Sequence, residues 1–528
     1  MIAPLLAQQQ LNKRQIAQAQ TASIPSPTGG LNGRDAIANM PPTDAVTLDN
    51  WFPEEQDVAL RNGYTQWATG LPGWVETILP YSGVSGTRKL FGASVSGIYD
   101  CTSPGAVGSP VVSGLSNARF QWVNFATAGS TFLYGVNGQD NPVLYNGSTW
   151  VQVSQISSPI AITGVDPSTF ISVNSFSQRL YFIAKNSTGF WYLPAASVGG
   201  AANFFDLGPL LTLGGYLMGM CTWTIDNSAG IQQYAVFVSS EGEVLVYQGY
   251  DPTSQSTWGL VAQFRIGRPV GRRFYCKKGS DVILLTVDGA IPLSTALLTD
   301  RTSLNIAVTD KIRNLIKSDI AQYFNNFGWE VKLFPDGNKI FINVPVIADS
   351  ISYQYVMNTI TGAWCSFGKL NSPWNATTFE YWEDGFYFGG DTYLAQCDYQ
   401  NSDNNGTIKG SAKQAFNYFG NRGQNKIFTM MRPVFLANGK LQAAVDLNVD
   451  FEDSAPTSTP TYTAQGGSPW NTSPWNTSPW GAGTNVIKDW DTPNAIGFCA
   501  APYIIAIAAD MNVNWESTDF VFQPGGVL

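Results

Sequence analysis

One hairpin pattern, repeated at nearly even spacing, constrains this chain more than anything else in it. Each copy holds an apolar run, a turn carrying glycine, and a second run that usually includes an aromatic residue. The copies are LFGASVSGIYD around Gly97, FLYGVNGQDNPVLYN around Gly138, LYFIAKNSTGFWYL around Gly189 and AVFVSSEGEVLVYQG around Gly242. They continue as VILLTVDGAIPLS around Gly289, EVKLFPDGNKIFINV around Gly337 and FYFGGDTYLAQCD around Gly390. Successive glycines lie 41 to 53 residues apart. Strands repeating with such a period mark a radial array of four-stranded sheets. Each sheet leaves faces that only its neighbours can bury, so the array closes into a ring. The expected fold is all-β: a β-propeller of six to seven blades with an additional small β platform domain.

A chain of 528 residues can bury more than one core. Its 52 glycines and 30 prolines, with aromatics as frequent as charged residues at 13%, describe a turn-rich β protein. The cysteines, Cys101, Cys221, Cys276, Cys365, Cys397 and Cys499, are scattered without a C-x-x-C pair. They read as free thiols of a reducing compartment. The opening MIAPLLAQQQLNKRQ puts its apolar run ahead of its basic residues, the reverse of a secretory signal. No apolar run reaches membrane-spanning length, so a soluble cytosolic product is expected.

Histidine is absent altogether. That removes Ser–His and Cys–His pairs, an imidazole base and any histidine-ligated zinc. The chain also lacks a P-loop, a dinucleotide fingerprint and an EF-hand loop. No enzyme activity, cofactor or metal is expected.

The text divides into a flexible arm (1–36), strands of the platform (37–80), the propeller (81–405) and a C-terminal platform (406–528). The arm is Gln/Ala-rich and then Pro/Gly/Ser-rich, too poor in large apolar groups to order alone. Within the propeller, TDKIRNLIKSDIAQY carries Ile312, Leu315, Ile316, Ile320 and Tyr323 at helical spacing, with Thr309 as the predicted N-cap. The C-terminal part holds a tandem repeat, SPWNTSPWNTSPWG. Its Trp470, Trp475 and Trp480 read either as a duplicated loop packed on a strand or as an exposed aromatic loop that docks a partner.

The formal charge is −9, yet two islands hold only cations. One, at 264–280, contains Arg265, Arg268, Arg272, Arg273, Lys277 and Lys278. The other, at 404–444, contains Lys409, Lys413, Arg422, Lys426, Arg432 and Lys440. Such islands in an acidic chain are candidate DNA-facing or assembly surfaces; a solvated loop face reads equally well. An acidic remainder would suit a channel wall along which DNA slides.

Carboxylates near aromatics, Glu330, Glu380, Glu383 and Asp384, keep a glycosidase or lectin in view, because glycoside hydrolysis needs a carboxylate pair at a set separation. Convergence of Glu330, Glu383 and Asp384 on the propeller mouth would favour sugar chemistry. The turns NTITGAW and NGSTW faintly resemble sialidase Asp-box turns.

Several stretches resemble a family of virion proteins of short-tailed bacteriophages, the tail-hub or nozzle proteins, also called packaged-DNA-stabilisation proteins. They are residues 49–83 (DNWFPEEQDVALRNGYTQWATGLPGWVETILPYSG), 354–364 (QYVMNTITGAW), 416–433 (FNYFGNRGQNKIFTMMRP), the SPW repeats and 514–528 (NWESTDFVFQPGGVL). The resemblance implies a structural protein of the virion tail, assembled in the host cytoplasm as a homo-oligomer, a hexameric tube below the portal and adaptor rings. It further implies a tube that extends the DNA channel, helps retain packaged double-stranded DNA, and carries tail fibres or tailspikes and a needle.

Overall fold

The computed structural model describes residues 18–84, 86–227, 230–298, 306–348, 350–369, 373–439, 441–458, 460 and 485–527. The chain is all-β, with a β-propeller and further β sheets. The expected arrays appear in the segment Phe170–Phe176, Arg179–Ala184, Gly189–Tyr192 and Asn203–Asp206, an antiparallel four-stranded blade. Its second strand reads RLYFIA because both faces are buried. Side chains alternate across a strand, so Leu180, Phe182 and Ala184 enter one inter-blade core while Tyr181 and Ile183 enter the next. Across that second core Phe190 stacks on Phe237 of the following blade, ring centroids 4.5 Å apart.

Four consecutive blades are read directly among the described residues. The first pairs the later part of Tyr64–Ser82 with Arg88–Ser94 and Gly97–Asp100. The second runs Gln121–Ala126, Thr131–Val136, Val143–Tyr145, Trp150–Gln152; the third is the one above; the fourth runs Leu217–Asn227, Gly230–Ser239, Glu243–Gly249, Trp258–Arg265. The six to seven separate four-stranded blades of the sequence reading are not found as such. After the fourth blade, Tyr275–Lys278, Asp281–Thr286 and Gly289–Pro292 form a three-stranded sheet. The meander Glu330–Phe334, Lys339–Ile347, Ile351–Asn358, Trp364–Phe367 is fused to further strands, and Phe379–Trp382, Gly385–Gly389, Asp391–Cys397 continue onto Tyr64–Ser82.

That 19-residue strand, Tyr64–Ser82, joins the two ends of the array. Its first part pairs with Asp391–Cys397 (Tyr64 opposite Cys397) and its second with Arg88–Ser94 (Val75 opposite Ser94). One strand is thereby shared between the first blade and the sheet of Asp391–Cys397.

The platform is woven from both ends of the chain. Gln424–Ala437 and Val513–Val527 form its longest pairing, flanked by Val58–Leu60 and, at an edge, by Gln20–Pro25. The later half of the segment expected as a free arm is thus strand-paired; residues 1–17 lie outside the described residues. A second platform layer, Asp44–Asp49, Ile408–Gln414, Ala500–Ala508 and Gln442–Val449, continues the sheet that contains Trp364–Phe367, through Asp49 opposite Ser366. The buried ion pair Arg61–Asp403 (2.7 Å), with the Arg61 guanidinium 4.5 Å from the Trp374 ring centroid, ties ring to platform. The predicted helix spans Arg313–Tyr323 and buries Ile316 and Ile320, as its spacing requires. Thr309 is not its cap: a 3-10 turn, Asp310–Ile312, precedes the helix, and the Thr309 hydroxyl accepts from the Ala290 amide instead (3.1 Å). A six-residue helix, Leu293–Leu298, was not anticipated.

Candidate functional site at the propeller axis

Arg273 lies two residues before the strand Tyr275–Lys278 and reaches across the axis of the ring. Its Nη2 donates to the Glu76 carbonyl (2.8 Å), the Thr77 hydroxyl (2.7 Å) and the Phe120 carbonyl (3.3 Å). Its Nη1 donates to the Thr378 hydroxyl (2.9 Å) and lies 3.6 Å from Glu330 Oε2. The side chain is 11% exposed, and its guanidinium sits 5.4 Å from the Phe327 ring centroid. One residue thus satisfies groups from four separate parts of the array. Expected as a surface cation, Arg273 is an internal brace.

On one side of this brace is a polar cavity of about 150 Å³, lined by Thr77, Gln121, Glu330, Lys332 and Glu380 among others. Lys332 pairs with Glu380 at 2.6 Å. Burial pushes the Glu380 carboxyl above its ordinary value, with Lys332 opposing the shift. Glu330 also accepts from the Phe379 amide (3.3 Å). Both inner carboxylates are therefore held by cations. Glu383 and Asp384 form the exposed turn between Phe379–Trp382 and Gly385–Gly389, away from Glu330. The convergence that sugar chemistry would need is not formed by these three residues.

A second cavity, of about 370 Å³, has Arg119, Arg268 and Arg272 in its wall beside Asn117, Gln139 and Tyr216. Arg119 pairs with Glu76 (2.9 Å) and lies 4.4 Å from the Phe327 ring centroid. Arg268 faces Glu241 at 3.9 Å and the Phe324 ring at 5.4 Å. Arg272 is half-buried and packs against Gly138: a Cβ there would stand 3.3 Å from Arg272 Nη1. Gly138 also adopts φ +75°, so the turn glycine of the second repeat serves both chain reversal and close approach. Desolvation pushes Arg272 below the ordinary arginine value. Sequence reading missed Arg119, an isolated cation in SNARFQW. The signal was positional: it stands two residues before Gln121–Ala126, the same register as Arg273 before Tyr275–Lys278.

The remaining island residues divide. Arg265 and Lys277 are exposed, Lys277 donating to the Thr222 hydroxyl, and Lys278 is half-buried. Lys409 and Arg422 are exposed, the latter 4.5 Å from the Tyr418 ring centroid. Lys413 is buried, paired with Asp453 (2.9 Å) and donating to the Glu452 carbonyl (2.6 Å). Lys426 is buried against the carbonyls of Asn421, Gln424 and Phe498 at 2.7, 2.8 and 3.1 Å. Arg432 pairs with Asp519 (2.6 Å) and covers Trp490. Lys413 and Lys426 are thus turned inward, while Arg432 is partly exposed in its pair. Lys440, Trp470, Trp475 and Trp480 lie outside the described residues. The six cysteines are buried free thiols, and burial pushes Cys101, Cys221 and Cys276 up to about 12.

No family model matches the chain, and no curated protein is similar to it. Among solved structures it is similar to BBS1N in complex with ARL6DN: 8% identity, 64% of this chain and 97% of that one, TM-score 0.39. YCF48 from Cyanidioschyzon merolae is 11% identical over 63% of this chain and 98% of that one, TM-score 0.33. A quinonprotein alcohol dehydrogenase-like protein from Bacteroides thetaiotaomicron VPI-5482 is 10% identical over 55% and 65%, TM-score 0.29. Likenesses this distant carry no argument about activity or partners.

Proposed function

We propose that this chain is a structural virion protein, a wall unit of the tail nozzle of a short-tailed bacteriophage. The observation that carries the reading is where the resembling stretches fall. Residues 49–83 run through the platform strands Trp51–Pro53 and Val58–Leu60 into the closing strand Tyr64–Ser82. Residues 354–364 lie on the sheet that continues into the platform, 416–433 enter Gln424–Ala437, and 514–528 follow Val513–Val527. The described stretches, scattered along the chain, thus gather in the platform and its seam with the propeller, the region that would set how copies stack; the SPW repeats lie outside the described residues.

The ring in this reading has seven blades. The three-stranded sheet from Tyr275, the meander from Glu330 and the strands from Phe379 to Cys397 follow the first four in order, and all seven repeat glycines fall at hairpin connections, one per unit. A braced axis at Arg273 suits a rigid body rather than a conduit, so DNA would pass between subunits of a homo-oligomer, expected to be a hexamer. The exposed cations Arg265, Lys277, Lys409 and Arg422 are available to DNA or to an adaptor ring, tail fibre or needle. The carbohydrate-active alternative draws nothing from the scattered Glu330, Glu383 and Asp384.

Immunogold electron microscopy of intact particles with antibody to the recombinant chain tests this. Label confined to the tail end is expected; unlabelled particles would remove the virion reading.

A further inference from the structure

Four guanidiniums gather at the axial mouth, and three have a carboxylate: Arg119 has Glu76, Arg268 has Glu241, and Arg273 has Glu330. Arg272 has no hydrogen bond or ion pair with any other described residue, although it is half-buried in the wall of the 370 Å³ cavity. A half-buried guanidinium that spends none of its donors on the protein keeps both its charge and its planar fork free for a ligand in the recess. We infer that this cavity is a binding site for a compact oxyanion, a phosphate or carboxylate group on a small polar molecule, seated on Arg272.

The chemistry of the wall suits that ligand. Guanidinium offers a planar fork that grips two oxygens at once. Arg119 and Arg268 flank Arg272 and lie over Phe327 and Phe324, which limits how far their heads can swing. Tyr216, Ser240 and the amides of Asn117 and Gln139 supply neutral donors around the fork, enough to hold a hydroxylated or amide-bearing body. Glu76 and Glu241 stay engaged with Arg119 and Arg268, so the uncompensated charge is that of Arg272. The recess is concave, and the turn at Gly138 closes on Arg272 from one side. A duplex presents phosphates on a convex ridge and fits this shape poorly. The proposal stands apart from the virion reading and survives its failure.

Isothermal titration of the full chain with inorganic phosphate and with citrate, at low salt, tests it. Saturable binding of at least one probe is expected, the tighter one identifying the anion class. Arg272→Gln should weaken that binding about tenfold or more while the melting temperature stays within a few degrees, since the residue holds no other described group. Lys277→Gln, outside the cavity, should bind as the parent does. Absence of saturable binding by either probe, or equal affinity in Arg272→Gln, would overturn the site. A short DNA duplex is the last arm. Failure to compete supports a small-molecule pocket. Stoichiometric competition lost in Arg272→Gln would replace the proposal with a DNA phosphate contact.

Discussion

The two basic islands look equivalent in the sequence, six cations and no acid in each, yet their inward-turned members meet different surroundings. In the 404–444 island, Lys413 has the Asp453 carboxylate, Lys426 donates to three backbone carbonyls, and the partly exposed Arg432 stands directly opposite its partner Asp519 across two paired strands. In the 264–280 island, the cations lie in a strand end, a connection and a short inner strand, and Arg272 and Arg273, adjacent in the chain, divide completely. Arg273 meets groups from distant segments; Arg272 lines an open recess and has no hydrogen bond or ion pair with another described residue. A long antiparallel strand brings a facing residue to each of its side chains, and Arg432 finds its partner that way, whereas Lys413 and Lys426 find theirs in the connections beside the sheet. A connection at the axis faces other blades, and its partners come from wherever the ring closes.

The sharpest way to break this contrast is at Arg273. Arg273→Ala leaves Glu330 buried without its cation and strips four further acceptors at once; a loss of about 3–5 kcal/mol is expected, read as an unfolding free energy in urea. Arg272→Gln beside it should leave that free energy nearly unchanged. Equal effects of the two substitutions would erase the distinction.

Lys426 should come next. Removing its ammonium in Lys426→Met leaves three carbonyls without their donor and costs about 1–3 kcal/mol near neutral pH. Desolvation lowers the Lys426 pKa below 10.5. The unfolded chain therefore holds that proton more tightly than the folded one. Stability from this site then rises with pH from the folded pKa up to 10.5, and Lys426→Met should flatten that alkaline rise in the unfolding free energy. A steeper rise in the variant would reverse the sign and the assignment.

The Arg432–Asp519 pair is partly exposed, so a double-mutant cycle to alanine should give a coupling of about 0.2–1 kcal/mol. A null coupling would mean that sheet pairing, not charge, positions these residues. Smallest of all, Arg265→Gln and Lys278→Gln should each change stability by no more than about 0.5 kcal/mol, measured by thermal melting. A larger change would show that the outward cations also carry structure.

Much of the ring was legible because its signal is local. Gly97, Gly138, Gly189, Gly242, Gly289, Gly337 and Gly390 each fall at the turn of a hairpin or the residue entering its second strand. The helical face of Ile312, Ile316 and Ile320 was equally local. The fusion of the Glu330 meander to the platform was not legible, since it rests on Asp49 meeting Ser366 across more than 300 residues. Nor was the pairing of Gln20–Pro25 with Val513–Val527: a polar, proline-flanked segment carries no strand pattern, and its partner supplies the order. At the site, the charges of Arg268, Arg272 and Arg273 were visible, while Arg119 was lost in an uncharged context.

The sequence by itself determined an all-β chain of repeated hairpins and ruled out histidine chemistry, because alternation, turn glycines and composition act over a few residues. Which cations face water, which are spent on brace and sheet, and that Arg272 lines a recess with no hydrogen bond to another described residue were decided only by tertiary structure. Charge is a property of a residue, but pairing is a property of two residues brought together, and here the packing of distant strands brings them together.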